Sequence, residues 1–593
     1  MKINLKQISE VFSNVEFFVT CFFPEEESNF GSEIPKDLEV FDSPDFWAIT
    51  SRTSNTHLSL VHHISKSHLI FRGYESEQNI HSYSPLEEFS AISNTNMLRN
   101  GVFSYLRYDS SNAVATIRND ALGIAPLFLR QVGTSWWFAS HPSLLHLAGD
   151  QPDLCNWASM IHNGHSLDDH TFYENIKRVP AGVEITITRD HSKIDEWFQF
   201  DEMPVGELVI NDEAFVEVEQ AYVRAMDRCI ELSENYILPL SSGYDSRRFF
   251  ATLVKKGLEF NAVTCQTFHR KKGRDYDIDS FFAPKIAKSF NVECAVVKAS
   301  SPKKMVSDGK KRQHLIGTET FMHGWAVPFM EWLSKQTPSI VFDGLAGDTF
   351  GNSGYEITGL HENPKKDKEL ILKEIVNTGF FKNFSSRFPS YSDLQKKYSA
   401  FIDKFPANLN QAEWAFLQAR TRRAISPWIT MMHPPGHVIV FPYCDIDFVR
   451  ATMRYHPAEK YKWFFQKECL RRFYPEFFNF HGSRNLPIDH PAIEESVSRA
   501  MNSLENDIFY RNWKLKFRSL KYLSLKNKVL LLASPLLPAI IFKRKWLFTP
   551  LLSLVKIDAE ANHFIVLEKS ASIPLGPSNA TSGNKILSKK GEK

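Results

Sequence analysis

The chain has 593 residues, 43% hydrophobic and 23% charged, with a formal net charge of +2. That length holds two to four domains, and the composition is that of an ordinary globular protein. The near-neutral charge gives no argument for nucleic acid as a partner. Seven scattered cysteines without a C-x-x-C pair argue against a disulfide framework or a zinc module and fit a reducing cytoplasm. The first residues carry no long apolar run, so no secretory signal is expected.

Over residues 1–200, short aromatic or β-branched runs are bounded by turn residues. They are VEFFVTCFF, HLIFRGY, GVFSYLRYD, AVATIRND, PLFLRQVG, SWWFAS and VEITITRD. They predict an α+β domain of antiparallel sheets, with short helices at Ser143–Ala148 and Leu154–Gly164. After Asp201 the period becomes helical, with Asp212 as a candidate cap. Strand Tyr236–Leu240, helix Ser246–Lys256 with Gly257 as cap, strand Phe260–Thr267, helix Asp277–Phe290 and strand Glu293–Lys298 follow. Such alternation predicts a parallel α/β sheet, which binds ligands at the carboxyl ends of its strands. From about residue 360 to 500 the pattern is mainly helical. VLLLASPLLPAIIF (Val529–Phe542) has basic flanks and two prolines. It reads as a pair of short buried helices or as an interfacial membrane anchor. Residues 571–593 read as a disordered tail.

At the end of the first parallel strand stands Ser241-Ser242-Gly243-Tyr244-Asp245-Ser246, which opens a helix. Backbone N–H groups, hydroxyls and the helix N-terminus suit a phosphate or pyrophosphate, and Asp245 suits Mg²⁺ beside it. A plain Ser/Gly connection has the same look. A second apolar strand ends in Asp343-Gly344-Leu345-Ala346-Gly347-Asp348-Thr349. Two adjacent strand ends, each with a glycine loop and an aspartate, are what a nucleotide–Mg²⁺ site requires.

These residues resemble the S-G-G-x-D-S and G-x-G-G-D-E loops of the asparagine synthetase superfamily. Asp279 stands where the family has an acid, Pro442–Asp445 resembles its P-F-L-D segment, and Lys467-Glu468-Cys469-Leu470-Arg471 before Pro475 resembles K-x-x-L-R. TIRNDALGIAPLFLRQVG…FAS resembles its class II glutamine amidotransferase domain, so the likeness runs over roughly residues 90–490. It implies an Ntn-hydrolase-like antiparallel sandwich over 1–200 and a PP-loop ATP-pyrophosphatase domain over 201–495. A helical, apolar extension over 496–570 precedes the tail.

The resemblance further implies an AMP-forming, amide-making ligase using ATP and Mg²⁺. Lys467 and Arg471 would be catalytic. Leu240, Ser241, Ser242, Gly243, Asp245, Ser246, Arg247, Cys265, Gly344 and Gly347 would hold the nucleotide, with Asp245 and Asp348 on the metal. The partners are small-molecule or peptide carboxylate and amine substrates, with peripheral membrane contact through residues 526–545 as an option on a cytoplasmic protein.

The sequence also departs from the family. Lys2 stands where glutamine-using members carry the nucleophilic Cys, and Cys21 reads as core, as in β-lactam synthetases and lasso-peptide cyclases, which lack that nucleophile. Ser242 and Ala346 replace glycines, Thr349 replaces an acid, and Arg247 puts a cation in the first turn of a helix, which makes sense with an anion nearby. A glutamine-hydrolysing asparagine synthetase and a non-catalytic nucleotide-binding or membrane-associated scaffold are the rival readings. His62, His63 and His68 read as ordinary surface or core histidines, Trp136 and Trp137 as strand packing, and Phe268–Asp277 as a solvated loop whose Arg270, Lys271, Lys272 and Arg274 could reach a nucleotide.

Overall fold

The computed structural model describes residues 2–25, 27, 29–30, 33–52, 59–64, 67–76, 99–266, 268–271, 274–300, 304, 308, 311–312, 315–317, 319–320, 326–352, 363–375, 388–480 and 567–568. The apolar 529–542 segment and the 571–593 tail lie outside them. No helix among the described residues is long and apolar enough to cross a membrane.

The N-terminal part is a sandwich of two six-stranded antiparallel sheets. One has the order Lys177–Arg178, Phe128–Val132, Ser135–Ala139, Phe18–Phe22, Phe46–Ser51, Leu38–Ser43. The other runs Ser192–Glu196, Val183–Ile187, Val114–Asn119, Gly101–Asp109, Ser67–Glu75, Ser59–Ile64. Strand alternation sets the layers. Phe18 and Phe22 turn inward onto Leu106, Ile117 and Ile185 of the facing sheet. Val19 and Cys21 turn outward under the helical layer with Trp47, Leu144 and Trp157. All seven expected β runs are strands. Leu38–Ser43, Ser59–Ile64 and Ser192–Glu196 were not foreseen, because charged and polar residues interrupt their apolar pattern, and the short apolar run Phe46–Ser51 was passed over.

The second part is a five-stranded, wholly parallel sheet: β1 (Tyr236–Pro239), β2 (Asn261–Cys265), β3 (Cys294–Val297), β4 (Ile340–Phe342) and β5 (Val438–Val440). Its order is β3-β2-β1-β4-β5. Helices α1 (Asp212–Ile230), α2 (Tyr244–Lys255), α3 (Ile278–Ser289), α4 (Ile446–Met453) and α5 (Phe465–Phe473) pack on it. The cap of α1 is Asn211, whose side chain accepts from the Ala214 N–H, and not Asp212, which is already helical. The expected helix at Ser143–Ala148 is a 3-10 turn over Pro142–Leu145. Phe268–Asp277 is a β-hairpin and not a loop, Phe268–Lys271 pairing with Arg274–Asp277. The side chains of Arg270, Lys271 and Arg274, and all of Lys272, lie outside the described residues.

The sandwich and the parallel sheet are locked together by buried polar contacts. Asn100 bridges the Asp445 carboxylate and the Ile446 N–H, and the Tyr74 hydroxyl accepts from the Phe441 N–H. A nine-residue π-helix, Leu417–Ile425, a rare geometry that often marks functional sites, inserts Arg422 against the Gly123 and Val179 carbonyls. The tail end of β5 and the π-helix are therefore held by the sandwich.

Candidate functional site

In an open α/β sheet the ligand crevice lies outside the carboxyl ends of the strands, where strand order reverses. Here order reverses between β1 and β4. The Ser241–Ser246 loop follows β1, and the Asp343–Thr349 loop follows β4, so both expected motifs flank that crevice. The loops touch. A Cβ built on Gly347 would stand 2.6 Å from Asp245 Oδ1, and one on Gly344 would stand 3.3 Å from the Asp245 Cβ. Glycine at 347 is what lets the carboxylate come so close to the second loop.

The first loop is preorganised by its own hydroxyls. Ser241 Oγ and Ser246 Oγ are 2.8 Å apart, and the Gly243 N–H donates to Ser241 Oγ at 3.1 Å. Ser242 uses its side chain: its Oγ–H and its N–H both donate to Asp279 Oδ1 at 2.8 Å. A carboxylate at the head of α3 thus already sits on donors of the kind an anion takes. Gly243 is the N-cap of α2 and brings no capping side chain, so the positive end of a twelve-residue helix opens onto the loop. This donor set fits a polyphosphate. Asp245 and Asp348 are hard oxygen ligands of the kind Mg²⁺ takes beside phosphate. Among the described residues no group of three or more His, Cys, Asp or Glu converges to hold a metal by protein ligands alone.

The second loop carries strain. Ala346 sits at φ +67°. A left-handed alanine costs about 1–2 kcal/mol. Ala346→Gly should therefore stabilise the fold by about 1 kcal/mol, read as a rise in the chemical-denaturation midpoint. Thr349 is buried and shares a 2.9 Å hydrogen bond with Thr421 of the π-helix. Asp348 is 47% exposed, with Arg420 at 3.9 Å. The partly buried Asp343 accepts from the Leu345 N–H at 2.9 Å, and burial pushes its carboxyl up to about 6. An acid raised on folding contributes stability below the unfolded value and loses it as pH rises through the folded one. Asp343→Asn should thus raise the unfolding midpoint at pH 7.5 and leave it unchanged near pH 4.

Other expected residues fall into place unevenly. Leu240 is buried, with its N–H on the Val263 carbonyl, and Cys265 closes β2, so both stand at strand ends of the crevice. Lys467 lies in the first turn of α5, 43% exposed, its Nζ 3.9 Å from Glu468. Arg471 does not reach either loop: it is exposed and bonded to Glu468 at 2.7 Å. Among the described residues, the partners of Arg247 are backbone carbonyls and an aromatic ring. Its side chain is buried, donates to the Phe478 and Phe480 carbonyls at 3.3 and 3.1 Å, and lies over the Tyr244 ring. Its cation ties the head of α2 to the segment after α5.

Sequence reasoning missed Gln466, Arg248 and Arg420. Arg248 was visible as the second arginine after the loop, but its partners Glu219 and Gln466 are distant in sequence. Asp445 is a structural residue: it caps α4 and binds Arg228 through both oxygens.

In the sandwich, Cys21 is buried in a central strand, and burial pushes its thiol well up, away from nucleophile chemistry. The head of that strand is Glu16-Phe17, an internal stretch preceded by helix Leu5–Val11. Glu16 binds Arg72 at 2.8 Å and faces His433 at 3.3 Å. His68 stacks on Phe46, and Trp137 meets Trp47 edge-on, so these are packing residues; the side chains of His62 and His63 lie outside the described residues. A cavity of about 40 Å³ lined by Arg72, Ser104, His433, His437 and Phe441 lies between sandwich and sheet and includes no residue of either loop.

Residues 91–198 match the family model of a glutamine amidotransferase domain. That part of the sandwich is amidotransferase-like. That match ends before the parallel sheet begins. Similar solved structures include glutamine phosphoribosylpyrophosphate (PRPP) amidotransferase from B. subtilis complexed with ADP and GMP. It is 12% identical over 43% of this chain and 61% of that chain, under two thirds of its length, with a TM-score of 0.20. A second is titled the allosteric regulatory enzyme of purine biosynthesis, 9% identical over 50% of this chain and 77% of that one, TM-score 0.19. At these TM-scores neither likeness bears on the fold. No match is found among curated proteins.

Proposed function

We propose that the protein is an ATP-dependent ligase that activates a carboxylate as its acyl-adenylate and passes it to an amine or ammonia, forming an amide. The meeting of the two aspartate-bearing loops at the switch point of the parallel sheet, with Asp245 Oδ1 against Gly347, carries this reading. A substrate carboxylate would attack the α-phosphorus of ATP. Pyrophosphate would leave toward the Ser241–Ser246 hydroxyls and the open end of α2. Mg²⁺, when bound by Asp245 and Asp348, spreads the negative charge that develops on the leaving group. Lys467, exposed in the first turn of α5, would add a positive charge to the transition state.

Glutamine hydrolysis is not part of this proposal. The head of the central strand offers Glu16, held by Arg72 and His433, and Cys21 is sealed in the core. The nitrogen donor would then arrive as free amine or ammonia. The test is ATP–pyrophosphate exchange by the full chain over a panel of carboxylates, with glutamine turnover measured alongside. Carboxylate-dependent exchange without ammonia release from glutamine is the expected result. Ammonia release from glutamine sinks the second part. Binding of ATP without exchange on any carboxylate favours the nucleotide-binding scaffold instead.

A further inference from the structure

We infer that Gln466 is a positioning residue that sets the second loop, and with it Asp348, against Asp245. The inference rests on the proposed nucleotide–Mg²⁺ site. Gln466 is fully buried in the first turn of α5 and bridges α2 and the second loop through its side-chain amide. Its Oε1 accepts from Arg248 Nη1 at 2.5 Å, and its Nε2 donates to the Gly347 carbonyl at 3.2 Å. A guanidinium demands an acceptor and a carbonyl demands a donor, so only one orientation of the amide satisfies both.

Each end of this link is fixed. Arg248 is fully buried on α2, donates to Glu219 of α1 at 2.6 Å and lies over the Tyr222 ring. The other Glu219 oxygen accepts from the Tyr474 hydroxyl at 2.7 Å. At the far end, Gly347 is held from two sides, by Gln466 on its carbonyl and by the Asp245 carboxylate close to its Cα. Gly351 makes room: a Cβ there would stand 3.0 Å from Gln466 Nε2 and 3.1 Å from its Cγ. A chain of buried contacts thus runs from Tyr474 through Glu219, Arg248 and Gln466 to the backbone one residue before Asp348. It makes the packing of α1, α2 and α5 decide the register between the two aspartate loops. Because Lys467 follows Gln466, the same anchor sets where that lysine leaves the helix.

The test is Gln466→Glu in the full chain. The variant keeps the size of the side chain and an acceptor for Arg248, but it places an oxygen against the Gly347 carbonyl. ATP binding is titrated against Mg²⁺, and again in excess EDTA, next to the unfolding midpoint of the ligand-free protein. The expected result is cooperative unfolding at a lowered midpoint, because two buried oxygens then face each other without a donor, with unchanged affinity for metal-free ATP and a rise of about tenfold or more in the Mg²⁺ needed for half-maximal ATP binding. An unchanged Mg²⁺ requirement, or equal weakening with and without Mg²⁺, overturns the inference. Should Gln466→Glu fail to fold, Gln466→Asn, which keeps the amide but shortens its reach, serves in the same comparison. Failure of the wild type to bind ATP at all would instead count against the proposed site, so the two failures are distinct.

Discussion

Asp245→Asn should lower carboxylate-dependent ATP–pyrophosphate exchange by about 10³-fold, roughly 4 kcal/mol of transition-state stabilisation. The substitution keeps the shape that packs against Gly347 and removes one negative charge from the proposed metal side of the crevice. Asparagine still offers one oxygen, but a neutral one, and a hard divalent cation favours the carboxylate. Asp348→Asn should cost less, about tenfold, because Asp348 is 47% exposed, with Arg420 only 3.9 Å away, so solvent and a cation already screen its charge. Exchange assays on the two variants at saturating carboxylate measure both. Retention of exchange within about tenfold by Asp245→Asn would remove it from the metal site.

The largest effect on stability is expected at Arg248. Burial alone would pull its guanidinium down, but the Glu219 carboxylate beside it holds it well above its ordinary range. Arg248→Met fills much of the same volume, yet leaves Glu219 buried with the Tyr474 hydroxyl as its remaining hydrogen bond. Breaking a buried pair from one side costs about 3–5 kcal/mol, chiefly because the stranded charge stays desolvated. A double variant, Arg248→Met with Glu219→Leu, removes the stranded charge and should recover most of that loss. Chemical-denaturation midpoints of the single and double variants read both quantities. A single-variant loss under about 1 kcal/mol would mean that solvent reaches Glu219 in the folded chain.

The part of this architecture written in short sequence stretches was legible in advance. Strand-loop-helix units such as Tyr236–Lys255 declare themselves through apolar runs, small loop residues and helical spacing, all within about twenty residues. The two aspartate loops could be paired because each ends such a strand, and the structure does bring them together. β5 was missed because Val438–Val440 is three residues long and lies among helices, where its apolar character reads as more helix. The protein partners of Arg247 were hidden for a different reason. Its place in the first turn of α2 was correct, but the Phe478 and Phe480 carbonyls that satisfy it lie more than two hundred residues away. The same separation hid Gln466. Nothing near Phe465 in the sequence says that an amide there will meet Gly347 on one side and Arg248 on the other. Local chemistry names the reacting groups; the groups that aim them are chosen by tertiary packing.

The most direct measurement is calorimetric titration of the folded full chain with MgATP, wild type beside Asp245→Asn. The account predicts saturable one-to-one binding by the wild type and its loss in the variant, with both proteins unfolding cooperatively. Absence of binding to the folded wild type, or equal affinity in Asp245→Asn, would contradict a nucleotide site between the ends of β1 and β4.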